Sequence, residues 1–293
     1  MIYQYRQPSY YLRDYVRDYV LAHFVIDPNQ DVPLKPFPAK PQGGIIFFIK
    51  GFLIANNTSL LLTEKREKTL VVGQQEFRQT FQLSHEYLMI DVIFQPGALN
   101  KLLGVPMTEF LNKHIDAELI FGQEIRDVNE QLTNTFCYET MVSIIEKFLL
   151  AKIKKVKDNL HPVDKMGQFI LDNPTSFNLD FIANQACLSH RQFERRFVQQ
   201  VGITPRFYQR MGRFRKAFEL KIRDRNASWL DIALQMGYTD YQHLVRDCRQ
   251  FSGNTPNQLI EEENNTASQM LGIKLEFYRK YDDYLPPMMS KKG

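Results

Sequence analysis

The chain has 293 residues, room for two domains at about 150 residues each, and its 13% aromatic content excludes a disordered polymer, which could not keep so many rings in water. Three cysteines (Cys137, Cys187 and Cys248) lie far apart with no C-x-x-C pair. That excludes a disulfide scaffold and a cysteine zinc site of ordinary spacing, and it fits a reducing compartment. The net charge of +4 is spread unevenly, as shown below.

The opening MIYQYRQPSYYLRDYV carries no basic-then-apolar leader pattern. The longest apolar stretch, Ile45 to Ala55, is interrupted by Lys50 and Gly51 and is too short to span a bilayer. The expectation is a cytoplasmic protein with no membrane partner. Strands are expected at Ile45–Lys50, Phe52–Ala55, Leu60–Leu62, Thr69–Gly73, Phe77–Leu83 and Tyr87–Phe94, several of them separated by turn signals such as Asn56-Asn57. Pro96-Gly97 ends the strands, and Leu99, Leu102 and Leu103 begin a helical spacing. A longer helix is expected from about Val128 to Lys157, with a break near Thr133–Thr135. Its Phe136, Met141, Ile144, Ile145, Phe148 and Leu149 would pack on its own sheet or on a second subunit. The lysine-rich AKIKKVKDNLHP closes this half at Pro162. The division read here is 1–160, a ligand-sensing or dimerisation domain; 161–262, a helical domain; and 263–293, a tail of unknown role.

Residues 1–160 hold 18 Lys/Arg and 18 Asp/Glu, whereas 189–225 hold eleven basic and three acidic residues, net +8. Such clustering is the electrostatic footprint of a polyanion partner. The same region repeats itself at an offset of 50–51 residues. Ile182-Ala183 recurs as Ile232-Ala233, Ser189 as Asp240, Phe193 as Leu244, and Gly202-Ile203-Thr204-Pro205 as Gly253-Asn254-Thr255-Pro256. Each unit reads as a short helix, a tight break and a longer helix: Leu179–Ala186 then His190–Val201, and Trp229–Met236 then a helix to about Phe251. Ser189 and Asp240 are N-cap residues, and Gly202 and Gly253 stand where helices end. Thr204 to Ile222 joins the units, with Pro205 in its first turn.

These residues carry a resemblance. The stretches LDFIANQACLSHRQFERRFVQQVGITPRFYQRMGRFRKAFEL and WLDIALQMGYTDYQHLVRDCRQFSGNTPNQL resemble the AraC/XylS transcription regulators over roughly Leu179 to Leu259. Leu244 and Cys248 stand where that family usually carries phenylalanines, which implies a less bulky core. FQPGALNKLLGVP resembles uncharacterised domains that precede this module in some members. The chain lacks the paired histidines of a metal-binding cupin and the cysteine set of the DNA-repair relatives. The implied fold is an α+β N-terminal domain, a mixed or antiparallel sheet plus helices, followed by an all-α domain. The latter has two helix-turn-helix motifs joined by a linker helix.

At about 100° per residue, Phe193, Phe197 and Val201 fall within about 80° and leave Arg191 and Arg195 opposite. In the second unit Leu244, Cys248 and Phe251 leave Gln242 and Arg246 opposite. Arginine pairs with guanine and glutamine with adenine, so these residues can read major-groove edges. Glu194 is more lateral; the resemblance implies a base-proximal position for it. Gln192, Arg196, Gln199, Arg206 and Arg249 are assigned to phosphates, which position a protein without specifying sequence. Arg206, Arg210, Arg213, Arg215, Lys216 and Arg223 cannot all face DNA; some would pair with phosphates and others would face the N-terminal domain. His23, His85, His114 and His161 lack metal spacing, and Gly43-Gly44 is a turn, not a phosphate loop. Cys187 and Cys248 are expected at corresponding buried positions.

The resulting expectation is a regulator that binds double-stranded DNA and is not an enzyme, with no cofactor and no metal. The N-terminal domain would bind a small-molecule effector, form a homodimer, or both, shifting affinity for DNA or RNA polymerase. An enzyme in the N-terminal half, or a protein-interaction module, remain the alternatives.

Overall fold

Six strands form the larger of two antiparallel sheets in the first half of the computed structural model, which describes residues 2–32, 34–56, 63–65, 68–156 and 162–265. In chain order the strands are β1 (Ile2–Arg6), β2 (Val16–Val25), β3 (Leu34–Phe37), β4 (Gly44–Lys50), β5 (Leu53–Asn56), β6 (Thr63–Lys65), β7 (Thr69–Val72), β8 (Gln79–Leu83), β9 (Glu86–Phe94) and β10 (His114–Asp116). The larger sheet runs β1-β2-β9-β4-β7-β10 and the smaller β3-β8-β5-β6. Its longest pairing sets β2 against β9, with Val25 opposite Glu86 and Val16 opposite Phe94.

The larger sheet is covered on both faces. Leu88, Ile90 and Val92 of β9 join Tyr19, Leu21, Ile45, Phe47 and Val71 on one side. Tyr87, Met89, Asp91 and Ile93 point the other way, toward the smaller sheet. A strand buried on both faces is apolar at consecutive positions, so YLMIDVIF reads as a run and not as an alternation. The first face is covered by four helices: α1 (Ala98–Leu103), α2 (Glu118–Phe121), α3 (Gln123–Thr133) and α4 (Tyr138–Ile153). Ile125, Val128, Leu132, Met141, Ile145 and Leu149 make the contact.

The expected strands from Ile45 onward are present with ends shifted by a residue or two, except Leu60–Leu62, which lies outside the described residues. β1, β2, β3, β6 and β10 were not anticipated. In β2, Arg17, Asp18 and His23 interrupt the apolar positions. Arg17 is satisfied by Asp18 at 3.1 Å and by Gln42 at 2.7 Å. The helix read over Val128–Lys157 is two helices, broken after Thr133 as expected, and α4 packs on its own sheet. Phe136 is a correction: it lies in the break, 86% exposed, and adds nothing to that packing.

The second half is helical: α5 (Pro162–Asp172), α6 (Leu179–Gln185), α7 (His190–Val201), α8 (Pro205–Arg223), α9 (Trp229–Gln235), α10 (Tyr241–Ser252) and α11 (Pro256–Asn265). The boundary read just before Pro162 falls on 157–161, outside the described residues. Asn178, Ser189, Thr204, Ser228 and Asp240 each accept a hydrogen bond from a first-turn amide, so the five helices from α6 to α10 all begin with a side-chain cap. Gly202 and Gly253 close α7 and α10 at φ 95° and 74°, a backbone only glycine adopts without strain.

One ring-rich core joins the two units. Phe193 and Phe197 of α7, Tyr208, Phe214 and Phe218 of α8, and Phe251 of α10 are all buried in it. Ring centroids of Phe214 and Phe251 lie 5.4 Å apart, and those of Phe197 and Tyr208 also 5.4 Å. The second unit adds a buried ionic cluster. Asp247 accepts from Arg210 at 2.6 and 3.1 Å and from the Tyr238 hydroxyl at 3.1 Å. Arg213 sits 3.9 Å from the Tyr238 ring centroid and donates to Gly237 O.

The two halves touch. Ala39 N donates to Phe251 O at 2.8 Å, and the Tyr208 hydroxyl donates to Pro41 O at 3.1 Å. Arg78 donates to Ser252 O at 3.1 Å and grips Glu262 at 2.6 and 3.0 Å. Lys101 and Asp164 form a buried ion pair.

Asp247 is 1% exposed, so removing its carboxylate strands buried guanidinium charge. Asp247→Ala is expected to lower stability by about 3 kcal/mol in chemical denaturation of the whole chain. A loss under about 1 kcal/mol would show that water reaches the cluster.

Candidate nucleic-acid interface

The two longer helices present the same side of themselves to solvent. Phe193, Phe197, Leu244, Cys248 and Phe251 are fully buried, and Val201 is partly buried against the same core. Arg191, Glu194, Arg195, Gln242 and Arg246 are all exposed. At an offset of 51, Arg191 matches Gln242 and Arg195 matches Arg246, one helical turn apart on each helix. The match stops at Glu194, whose counterpart Val245 is buried.

Gln192, Arg196, Gln199, Arg206 and Arg249 are exposed too. Gln192 already has a structural task. Its side-chain oxygen accepts from Ser189 N at 3.1 Å while Ser189 Oγ accepts from Gln192 N, a reciprocal cap at the start of α7. Its amide nitrogen is a donor type suited to phosphate.

The basic cluster divides into two populations. Arg210 and Arg213 serve Asp247, and Lys216 donates to Asp172 O at 2.5 Å. Arg215 is 9% exposed, 3.4 Å from Glu219, and electrostatically in range of Arg17 in the first half. All four are engaged within the protein, Arg213 and Arg215 buried and Arg210 and Lys216 partly exposed. The signal for this was present in the repeat: Asp247 stands where the first unit has Arg196, an acidic residue inside a basic face.

Cys187 is a correction. It is exposed, at φ 54°, in the turn between α6 and α7, and its counterpart is Gly237 at φ 70°, not Cys248. The turn needs a left-handed residue, and the second unit meets that need with glycine. Cys248 is buried beside Ser252, and burial pushes its thiol up to about 12.

A second feature lies between the two sheets. It is a cavity of about 160 Å³, walled by rings and aliphatic side chains such as Phe24, Phe48, Phe81 and Leu83. Lys35, Lys40 and Asp91 also line it, and burial raises the Asp91 carboxyl to about 6 against the pull of Lys40 and Arg17. Sequence reasoning missed it, because the unanticipated β2 and β3 complete the walls that β4, β7, β8 and β9 begin. Among the described residues no group of three His, Cys, Asp or Glu could hold a metal ion, and no helix is long and apolar enough to cross a membrane.

Residues 182–262 match a helix-turn-helix domain family, and residues 4–116 match a domain of unknown function (DUF6597). No curated protein matches the chain. Among solved structures, an apo variant of ToxT from Vibrio cholerae is 12% identical, with 83% of this chain and 97% of that chain covered and a TM-score of 0.45. ToxT bound to (E)-4-(8-methylnaphthalen-1-yl)but-3-enoic acid is 13% identical over 83% and 97% of the two chains, with a TM-score of 0.45. The AraC-like transcriptional activator CuxR is 11% identical over 80% and 91%, with a TM-score of 0.27.

Two capped helix-turn-helix units on one connecting helix, in a segment matching that domain family, make this chain a DNA-binding transcription regulator. The register of the repeat and the match over 182–262 agree with the resemblance to the AraC/XylS regulators read from the sequence.

The three thiols provide a check on the corrected placement. In the folded chain Cys137 and Cys187 should react with an aromatic disulfide reagent within minutes, while Cys248 should wait for denaturant. Rapid reaction of all three would place Cys248 outside the core.

Proposed function

We propose that α7 and α10 occupy successive major grooves on one face of DNA. The observation that carries this reading is the duplicated exposed register, Arg191 with Arg195 on one helix and Gln242 with Arg246 on the other. Nineteen residues of α8 span roughly 28 Å at about 1.5 Å each, against about 34 Å between successive grooves. The bundle around α8 supplies the remaining offset. In this reading Arg191, Arg195, Gln242 and Arg246 contact base edges, with Glu194 accepting from a cytosine amine. Gln192, Arg196, Gln199, Arg206 and Arg249 bind phosphates and set the register.

We assign residues 1–160 to sensing and 161–262 to DNA binding. The cavity between the sheets would hold a small-molecule effector, and its occupancy would shift the population of conformations with different affinity for DNA or RNA polymerase. The protein acts on DNA in the cytoplasm in this reading, as a regulator and not as an enzyme. Self-association would run through the N-terminal half; a second half-site on the operator, arranged symmetrically, would mark it.

Arg195→Ala and Arg246→Ala are each expected to cost about 1–3 kcal/mol on selected operator DNA, and each to relax preference at one base pair. The two relaxed positions should lie about one helical turn apart. Equal losses on operator and random DNA would make that arginine a phosphate contact.

Salt provides a second check. With about six phosphates neutralised, log affinity should fall against log salt with a slope of about −5. Affinity independent of salt would sink this reading of the interface.

A further inference from the structure

The repeat that aligns the two reading helices also aligns the residues beside them that would hold the DNA backbone. At the offset of 51, Gln192, Arg196 and Gln199 of the first unit correspond to His243, Asp247 and Gln250 of the second. Two of those three positions serve the bundle. Asp247 is buried among Arg210, Arg213 and Tyr238, and Gln250 Oε1 accepts from Arg210 at 2.6 Å. His243 is the position through which the second unit can repeat the backbone contact assigned to Gln192.

The surroundings of His243 suit that task. It lies next to Gln242 and one turn before Arg246, half-buried at the start of α10. Its backbone N–H donates to the Asp240 cap at 2.7 Å. Its ring is held at two places: Nδ1 lies 3.2 Å from Thr239 Oγ1, and the ring stands edge-to-face with Tyr238, centroids 5.2 Å apart. The Tyr238 hydroxyl donates to Asp247, so this platform is anchored in the buried cluster. With Nδ1 on Thr239, Nε2 is the nitrogen left for a ligand. When the Thr239 hydroxyl donates to Nδ1, the neutral ring carries its proton on Nε2; when the ring is charged, both nitrogens donate.

The exchange of glutamine for histidine therefore keeps a donor and adds a charge that depends on pH, since imidazole gains its proton between about pH 8 and 5. The charged groups around it are Asp240 at the cap, Arg246 and Asp247 on the next turn, and Arg213 of α8, which lies 3.9 Å from the centroid of the same Tyr238 ring. Asp247 is matched by Arg210 and Arg213, which leaves Asp240 as the local counter-charge to an imidazolium. A phosphate would be a second one, and its bond to the charged ring is about twice as strong as to the neutral ring.

We infer that His243 contacts a DNA phosphate in the second half-site, and that the contact strengthens when the imidazole takes up a proton. This rests on the two-groove reading above. The gain is present at low pH and lost as pH rises, and it is the same on any sequence, because phosphates carry no base information.

The whole chain is titrated against an operator selected from random DNA, and against a random duplex, at about pH 6 and about pH 8 over a range of salt. Footprinting of the operator at the higher pH checks the two-groove reading separately. At the lower pH both DNAs should bind about threefold or more tighter, with a slope of log affinity against log salt steeper by about 0.9, the mark of one further phosphate neutralised. His243→Gln should lose both changes while protecting both half-sites. His243→Arg should show the tighter binding and the steeper slope at both pH values. His190→Gln, at the start of α7 beside Asp180, should keep the full response. A response that survives in His243→Gln, is confined to the operator, or is absent while both half-sites are protected overturns the phosphate contact. A single protected half-site overturns the two-groove reading, and this inference with it.

Discussion

The packing of rings along α8 is the constraint on which the DNA-binding half depends. Tyr208 meets Phe197 of the first unit, while Phe214 and Phe218 meet Phe251 and Trp229 of the second. Each such pair contributes about 0.5–1.5 kcal/mol beyond the area it buries, and together they tie both units to one rod. The separation of the reading helices is therefore a property of helix length, not of a hinge. It also fixes which basic residues can reach DNA. A side chain of α8 that faces the second unit is drawn into the bundle, which is the fate of Arg210 and Arg213, while Arg215 is buried toward the first half.

This explains what the sequence could and could not show. α7 and α10 were legible because each has one buried side, an N-cap and a terminal glycine, all local features repeated at a constant offset. The sheet was less legible. β2 pairs with β9 across some seventy residues of chain, and Arg17, Asp18 and His23 interrupt its apolar positions, so no alternation announces it. The cavity inherits that obscurity, since its walls come from strands that no local pattern brings together. Arg17, Asp18 and Asp91, which look like surface residues in isolation, are the polar fittings of buried faces.

Charge counting misled in a specific way. A net of +8 over 189–225 points correctly to a polyanion, but it sums residues with opposite tasks. Comparing the repeats would have separated them, because Asp247 replaces Arg196 and calls for internal cations. The same comparison places Cys187 opposite Gly237, in a turn that requires a left-handed backbone. An imperfect repeat is thus more informative at its mismatches than at its matches. The matches mark what both units need, and the mismatches mark where one unit has been fitted to its neighbours.

The contact between the halves has a magnitude that limits what it can do. Two neutral hydrogen bonds, from Ala39 N and the Tyr208 hydroxyl, contribute about 1 kcal/mol each. The Arg78–Glu262 pair, with side chains 25% and 20% exposed, contributes about 1 kcal/mol more once solvent screening is allowed for. Arg78 also donates to Ser252 O, a charge-assisted bond of about 1.5 kcal/mol, so the grip of about 4.5 kcal/mol corresponds to a factor of roughly 2,000 in an equilibrium. Driving a two-state element from 1:99 to 99:1 takes about 5.5 kcal/mol, so making or breaking this grip cannot act as a complete switch. It is scaled instead to a partial shift between conformations. The buried Lys101–Asp164 pair lies on the other side of this division, at the foot of α1 and α5, away from the cavity. It is a second, separate tie between the halves, joining α1 to α5.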